Sequence, residues 1–294
     1  MTRATRSDRA VLEKACEAAG FDPVGAEPIR LAENAIWRLP GGAVARIARS
    51  DQGAAAGREV RVARWLERND VPAVRALDVV QPVMAAGHPV TFWQELPPYE
   101  NGSITDVVGL LKRLHALPKP DHLNLGALDP FVRVAERIDA ATTLFDDDRQ
   151  WLRDLLHDLE GRWADRPVGL PECVVHGDAW VGNVMVTSDG PLLLDFERVS
   201  LGPPEWDLVS TAVKLTTTGS VSRPEYAEFC AAYGTDVTKW DGYELLSAAR
   251  QLRMTTYAAQ HAATYKEWRV EAQYRVDCLR GRAGHPPWRW KGIM

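Results

Sequence analysis

Strand-like segments crowd the first third of this chain and helical ones fill the rest, and the change falls on one stretch, "PPYENGS", that supports neither. Before it, "NAIWRL" and "AVARIA" are apolar runs joined by "PGG", whose Gly41 and Gly42 can take the positive φ that a tight hairpin needs. Strands are expected near 35–39 and 43–48. "VPAVRALDVV", "PVMAAG" and "HPVTFWQEL" continue as short strand-like pieces divided by Pro82 and Gly87. Two helices interrupt them. One spans 8–20 and closes on Gly20; the other, "AAAGREVRVARWLERND", lines up Val60, Ala63 and Leu66 and stops at Asn69 before Pro72. After the break, "ITDVVGLLKRLHAL" is amphipathic and "DDDRQWLRDLLHDLEGRWAD" opens on an acidic turn that suits the helix dipole. Residues 204–281 read as several further helices. Such a shift marks a hinge in an α+β chain: a small β-rich N-lobe over 1–98 and a larger, mostly helical C-lobe over 99–294.

The C-terminal part returns to β-like runs only over about 173–196, and there the runs deliver polar residues. "VVHGDAWVGNVMV" holds His176, Asp178 and Asn183 in its turn, and "PLLLDFE" brings Asp195 to the end of the next run. Singly, Asp and Asn at such places are explained by capped turns. Together and in this order they match what phosphoryl transfer requires: a group that orients the attacking hydroxyl, and hard oxygen donors for Mg²⁺ on the nucleotide phosphates. Asp178 fits the first role, and Asn183 with Asp195 the second. His176 is read as a post that holds the loop by hydrogen bonds, with acid–base work as its other reading.

The remaining features exclude more than they assign. With 46% hydrophobic and 26% charged residues the composition is that of a globular protein, and a formal net charge of −5 argues against a nucleic-acid partner. The basic start "TRATRSDRA" is followed by no apolar h-region and no run nears 18 apolar residues, so neither a secretory signal nor a membrane span is read and a cytoplasmic protein is expected. Cys16, Cys173, Cys230 and Cys278 are scattered, as reduced and mostly buried thiols would be, and form no zinc pattern.

The order "HGDxxxxN", "LLDFE" and then "GPPEWDL", behind a β-rich lobe and a hinge, resembles the aminoglycoside phosphotransferase and choline kinase-like family, over about residues 30–210. The resemblance implies a protein-kinase-like two-lobed fold, ATP or GTP with Mg²⁺ as cofactors, and transfer of the γ-phosphate to a hydroxyl of a small molecule. It implies Asp178 as the catalytic group, Asn183 and Asp195 as metal ligands, Asp207 as a brace for the loop, and Glu197 in a supporting place behind the ligands. In the N-lobe it implies nucleotide contacts from Asn34 and the backbone around Glu33 to Ala35, where no GxGxxG occurs, and from Arg46, which stands where the family's lysine would be. Glu59 is the natural ion-pair partner of Arg46. Backbone groups of Gln94, Glu95 and Leu96 would read an adenine edge, with Phe92 or Trp93 lining the pocket.

The acceptor is expected to be a hydroxylated small molecule (aminoglycoside, sugar, amino sugar or amino alcohol) held by the C-terminal helices of a monomer or homodimer. Those helices mix Glu244, Glu267, Glu271 and Asp277 with Arg250, Arg253, Arg269 and Arg275, which promises no strongly acidic groove. Glu271 and Arg275, at i,i+4, read as a pair on a wet face. Two rivals remain: a nucleotide-binding pseudokinase acting through partners, suggested by the absent lysine and glycine loop, and an interaction protein using its "PPWRW" tail.

Overall fold

The computed structural model describes residues 3–31 and 34–292, with side chains from Asp8 onward. The chain divides into two compact units, one of Met1–Leu125 with Val181–Val199 and one of Gly126–Trp180 with Ser200–Met294. Helix α3 (Ile104–His115) and the second half of the 173–196 region thus belong to the same unit as the N-terminal strands.

The first unit is built on α1 (Arg3–Ala19), β1 (Glu27–Leu31), β2 (Ala35–Leu39), β3 (Ala43–Ile47), α2 (Gly53–Arg68), β4 (Val83–Ala85) and β5 (His88–Gln94). The strands form an antiparallel sheet in the order β1-β2-β3-β5-β4. The expected hairpin pairs Ala35 with Ile47 and Leu39 with Ala43, and turns on Gly41 and Gly42 at φ 84° and 80°. Leu12, Ala15 and Cys16 of α1 join Trp37 and Phe92 in the core of this sheet. Val60, Ala63 and Leu66 of α2 are buried as their spacing requires, and Asn69 caps the helix.

Three differences from the sequence reading have local causes. Strand β1 was not expected; every one of its residues is exposed, so it shows none of the alternation that reveals a strand. "VPAVRALDVV" forms no strand; its bridges, Ala73 to Leu193 and Ala76 to Trp93, are isolated, although its backbone also hydrogen-bonds Leu193, Phe92 and Gln94. "PPYENGS" does not break regular structure completely: β6 (Glu100–Asn101) pairs with β8 (Val184–Thr187), which pairs in turn with β9 (Gly190–Leu193). Gly102 then donates to the Val184 carbonyl at 2.8 Å, and a Cβ there would meet the Val184 side chain at 2.4 Å, so the close approach requires glycine. Ser103 and Asp106 form the capping box that starts α3.

The second unit holds α4 (Val134–Ala140), α5 (Asp146–Ala164), β7 (Cys173–Val175), β10 (Ser200–Gly202), α6 (Glu205–Ala212), α7 (Arg223–Tyr233), α8 (Tyr243–Thr264) and α9 (Arg269–Leu279). Strands β7 and β10 pair antiparallel, and α8 is its central helix, packed against α4, α5, α6 and α9.

Two surface expectations fail in this unit. Glu271 and Arg275 do pair, at 2.8 Å, but their side chains are only 7% and 4% exposed. The tail buries them: Trp290 is itself 2% exposed, the Arg275 guanidinium lies 5.2 Å from its ring, and the backbone N–H groups of Trp288 and Trp290 donate to Thr216 and Thr217. Lys291 N–H donates to Glu271 as well. The tail is therefore part of the fold, which removes the main support for an interaction protein built on it. No helix among the described residues is long and apolar enough to cross a membrane.

Candidate active site

In the second unit, β7 ends at Val175 and the chain turns sharply at Gly177, φ 82°. Both oxygens of Asp207 are used to hold this turn. Oδ2 accepts from the His176 N–H at 2.7 Å and Oδ1 from the Gly177 N–H at 2.9 Å, and Asp207 is wholly buried on α6. Trp206 donates its Nε1 to the Gly177 carbonyl at 2.9 Å. The Asp178 N–H approaches His176 Nδ1 at 3.3 Å, and His176 has no exposed surface, so its ring serves as an internal post for the loop.

Asp178 emerges from this frame with a side chain 44% exposed and faces Arg250 of α8, whose Nη1 is 3.4 Å from Oδ1. The guanidinium also donates to the carbonyls of Gly177 and Trp206, at 3.1 Å each, and lies 3.9 Å over the Trp206 ring. Burial pulls the Arg250 pKa down, against the pull of Asp178 and Asp207. Sequence reasoning treats Arg250 only as one charge among many.

It missed Lys214 entirely. This residue lies in the 3₁₀ turn Val213–Leu215 that continues α6, and its Nζ is 4.9 Å from the Trp180 ring centroid. Burial lowers its ammonium pKa to about 8, with Asp178 opposing the shift and Arg250 adding to it. The available signal was a single cation inside the apolar run "DLVSTAVKL".

In the first unit, the β8–β9 hairpin brings Asn183 and Asp195 to one open end. Val184 pairs with Leu193, and the Leu194 N–H donates to the Asn183 carbonyl at 2.9 Å, so residues twelve apart in sequence become neighbours across the ladder. Asp195 sits at φ 60°, a left-handed conformation that costs a non-glycine residue about 1 kcal/mol and is typical of functional sites. Carboxylate oxygens of Glu59, Asp195 and Glu197 all lie within 4.8 Å of one another. Such a concentration of hard, negative oxygen donors suits a divalent cation like Mg²⁺, so the residues present fit the expected metal.

Arg46 and Glu59 form the ion pair that their positions suggested, with Glu59 only 4% exposed on α2. Burial raises the Glu59 pKa to about 7; Arg46 opposes this, and Asp195 and Glu197 add to it. With its amide turned to put oxygen toward the guanidinium, Asn34 accepts from Arg46 Nη2 at 2.8 Å, so the three N-lobe residues form one cluster. Glu33 lies outside the described residues.

At the end of β5 the Gln94 N–H donates to the Arg75 carbonyl and the Glu95 N–H to the Gly42 carbonyl. Of the hinge residues singled out, only Leu96 keeps a backbone N–H that donates to no other described residue. Phe92 does not line a pocket: it is fully buried and stacked on Phe21 at 4.6 Å. Trp93 is also buried, its Nε1 donating to Thr91.

A small antiparallel sheet unit followed by a helical one, with the "HGD" loop braced by a later Asp and a second Asp closing a hairpin, is the arrangement of a protein-kinase-like α+β fold. The chain belongs to the phosphotransferase enzyme family, whose model matches residues 26–246, and it is a small-molecule kinase. Its structure is similar to that of aminoglycoside phosphotransferase APH(3'')-Id from Streptomyces rimosus, at 21% identity and a TM-score of 0.62 over 86% of this chain and 99% of that one. The choline kinase LicA from Streptococcus pneumoniae matches at 14% identity and a TM-score of 0.65 over 95% and 99%. Amicoumacin kinase hAmiN, solved with AMP-PNP, Ca²⁺ and Ami, matches at 13% and 0.66 over 92% and 96%. No curated protein matches the sequence significantly.

Proposed function

We propose that this protein transfers the γ-phosphoryl group of ATP or GTP to a hydroxyl of a small molecule, with Asp178 as the group that receives the hydroxyl proton. The acceptor oxygen attacks the γ-phosphorus, the bond from that phosphorus to the bridging oxygen breaks, and the nucleoside diphosphate leaves. The observation that carries this reading is the hairpin that sets Asn183 beside Asp195 and its carboxylate neighbours, because an oxygen-rich pair at that point in the motif order is what a nucleotide-bound cation needs. Asn183 and Asp195 would hold Mg²⁺, which neutralises phosphate charge when bound.

The remaining N-lobe residues supply positioning. Arg46, fixed by Glu59 and Asn34, presents a guanidinium to the phosphates. The Leu96 N–H and the carbonyls beside it are the groups with which Gln94, Glu95 and Leu96 can meet a base edge. In the other unit, Arg250 fixes the orientation of Asp178. Calorimetry of ATP and GTP binding, in Mg²⁺ and in EDTA, tests the reading. Nucleotide should bind far more tightly with Mg²⁺ to the wild type, and Asp195→Ala should erase that difference. Equal affinity in Mg²⁺ and EDTA for both proteins would remove the metal assignment.

A further inference from the structure

The surroundings of Asp178 in its own unit say something about what the acceptor carries besides its hydroxyl. Lys214 and Trp180 form one wall: the ring is 39% exposed, begins two residues after Asp178, and has the ammonium 4.9 Å from its centroid. Arg250 stands on the buried side, and the Arg253 guanidinium follows 5.7 Å from the Trp206 ring. Cations and aromatic surface therefore border the carboxylate.

The buried carboxylates of this unit are largely engaged. Asp207 accepts two backbone N–H groups, Glu205 accepts from Leu170, Glu271 is held by Arg275, and Asp148 is held by Arg280 and Arg282. Asp178 faces Arg250. Among the described residues each buried carboxylate of this unit accepts at least one hydrogen bond, and of their fully buried oxygens only Glu205 Oε2 has no partner, so an acceptor bearing an ammonium group beside its hydroxyl would meet Lys214 as a like charge. An acceptor bearing a carboxylate would meet the opposite situation.

We propose that the acceptor is a small hydroxy acid, its carboxylate held by Lys214, its carbon skeleton resting on Trp180 and its hydroxyl presented to Asp178. This rests on the phosphotransferase reading and narrows it. The atoms balance as in that reaction: the acid group is a handle and takes no part, the hydroxyl oxygen gains phosphorus, its proton goes to Asp178, and the nucleoside diphosphate leaves. Lys214 is thus a residue of specificity.

Two sets of matched compounds separate the charge of the acceptor from its shape: gluconate, glucose and glucosamine, and glycerate, glycerol and serinol. Binding to the full chain is measured by calorimetry with Mg²⁺ and ATP analogue present, and turnover by nucleoside diphosphate release with Mg²⁺ and ATP. In at least one set the acid should be favoured over the amine by about tenfold or more in the wild type. Lys214→Glu should reverse that order, Lys214→Gln should flatten it, and Lys214→Arg should keep it. The flattening by Lys214→Gln decides the matter should the Glu variant not fold. Preference for the amine, equal treatment within both sets, no binding of any of the six while Mg²⁺ and ATP still bind, or a ranking indifferent to Lys214→Glu and Lys214→Gln overturns the inference and leaves the phosphotransferase reading standing. Failure of Mg²⁺ and ATP to bind at all overturns the reading beneath it and this inference with it.

Discussion

Arg250 reaches Asp178 at 3.4 Å from 72 residues further along the chain, and the same guanidinium donates to the carbonyls of Gly177 and Trp206. One side chain of α8 thus sets both the backbone and the carboxylate of the loop. Arg250→Met should remove a buried guanidinium donor from both carbonyls, leaving Trp206 Nε1 on that of Gly177, at a cost of about 2 kcal/mol. Urea unfolding should show the loss as a lower midpoint at an unchanged slope, and a stability equal to the wild type would mean the contacts are not formed in solution.

Asp178→Asn keeps the size of the side chain and removes its ability to take a proton. Turnover should fall by about 10² or more, the lower end of what a positioned general base contributes, while Mg²⁺-nucleotide binding survives. Circular dichroism must show an intact fold. Near-wild-type turnover in this variant would return the "HGDAWVGN" loop to a capped turn.

Arg46→Ala should raise the KM for ATP by roughly tenfold or more, the worth of a charge-assisted hydrogen bond to phosphate, and move the KM for the acceptor little. Initial-rate kinetics with each substrate varied in turn would read this. Unchanged nucleotide kinetics would transfer the role to the backbone near Asn34.

Lys214 should titrate near pH 8, well below its ordinary 10.5, because burial disfavours the ammonium. Between those values the unfolded chain holds a proton that the folded one has released, so this group's contribution makes stability rise with pH from about 8 to 10.5. Pulse labelling with an amine-directed reagent, read by mass spectrometry of the Lys214 peptide, should give a midpoint near 8. A midpoint at the value of the exposed lysines would refute the burial argument, and Lys214→Met should remove the pH-dependent rise in stability.

Elements with a strong period were legible in the sequence. The β2–β3 hairpin, α2 and α3 carry local signals, in Gly41 and Gly42, in Val60, Ala63 and Leu66, and in the amphipathic run "ITDVVGLLKRLHAL", that need no partner to be read. The order of Asp178, Asn183, Asp195 and Asp207 was legible for the same reason. What the sequence hid depends on tertiary packing. Strand β1 has no buried face to betray it, Phe92 is taken into the core by Phe21, and the Glu271–Arg275 pair is dry only because the tail folds over it. Arg250 and Lys214 became neighbours of Asp178 through α8 and the end of α6, and nothing in their local spacing encodes that.

The bracing of the loop by Asp207 implies an order of events when the chain folds. The His176 and Gly177 N–H groups have their acceptors 31 and 30 residues downstream, on a helix not yet synthesised when the loop appears. Until α6 arrives, the "HGD" segment has no reason to hold its shape, so a nascent chain halted before residue 207 should display a mobile, protease-sensitive loop, and competence would be acquired abruptly as α6 docks.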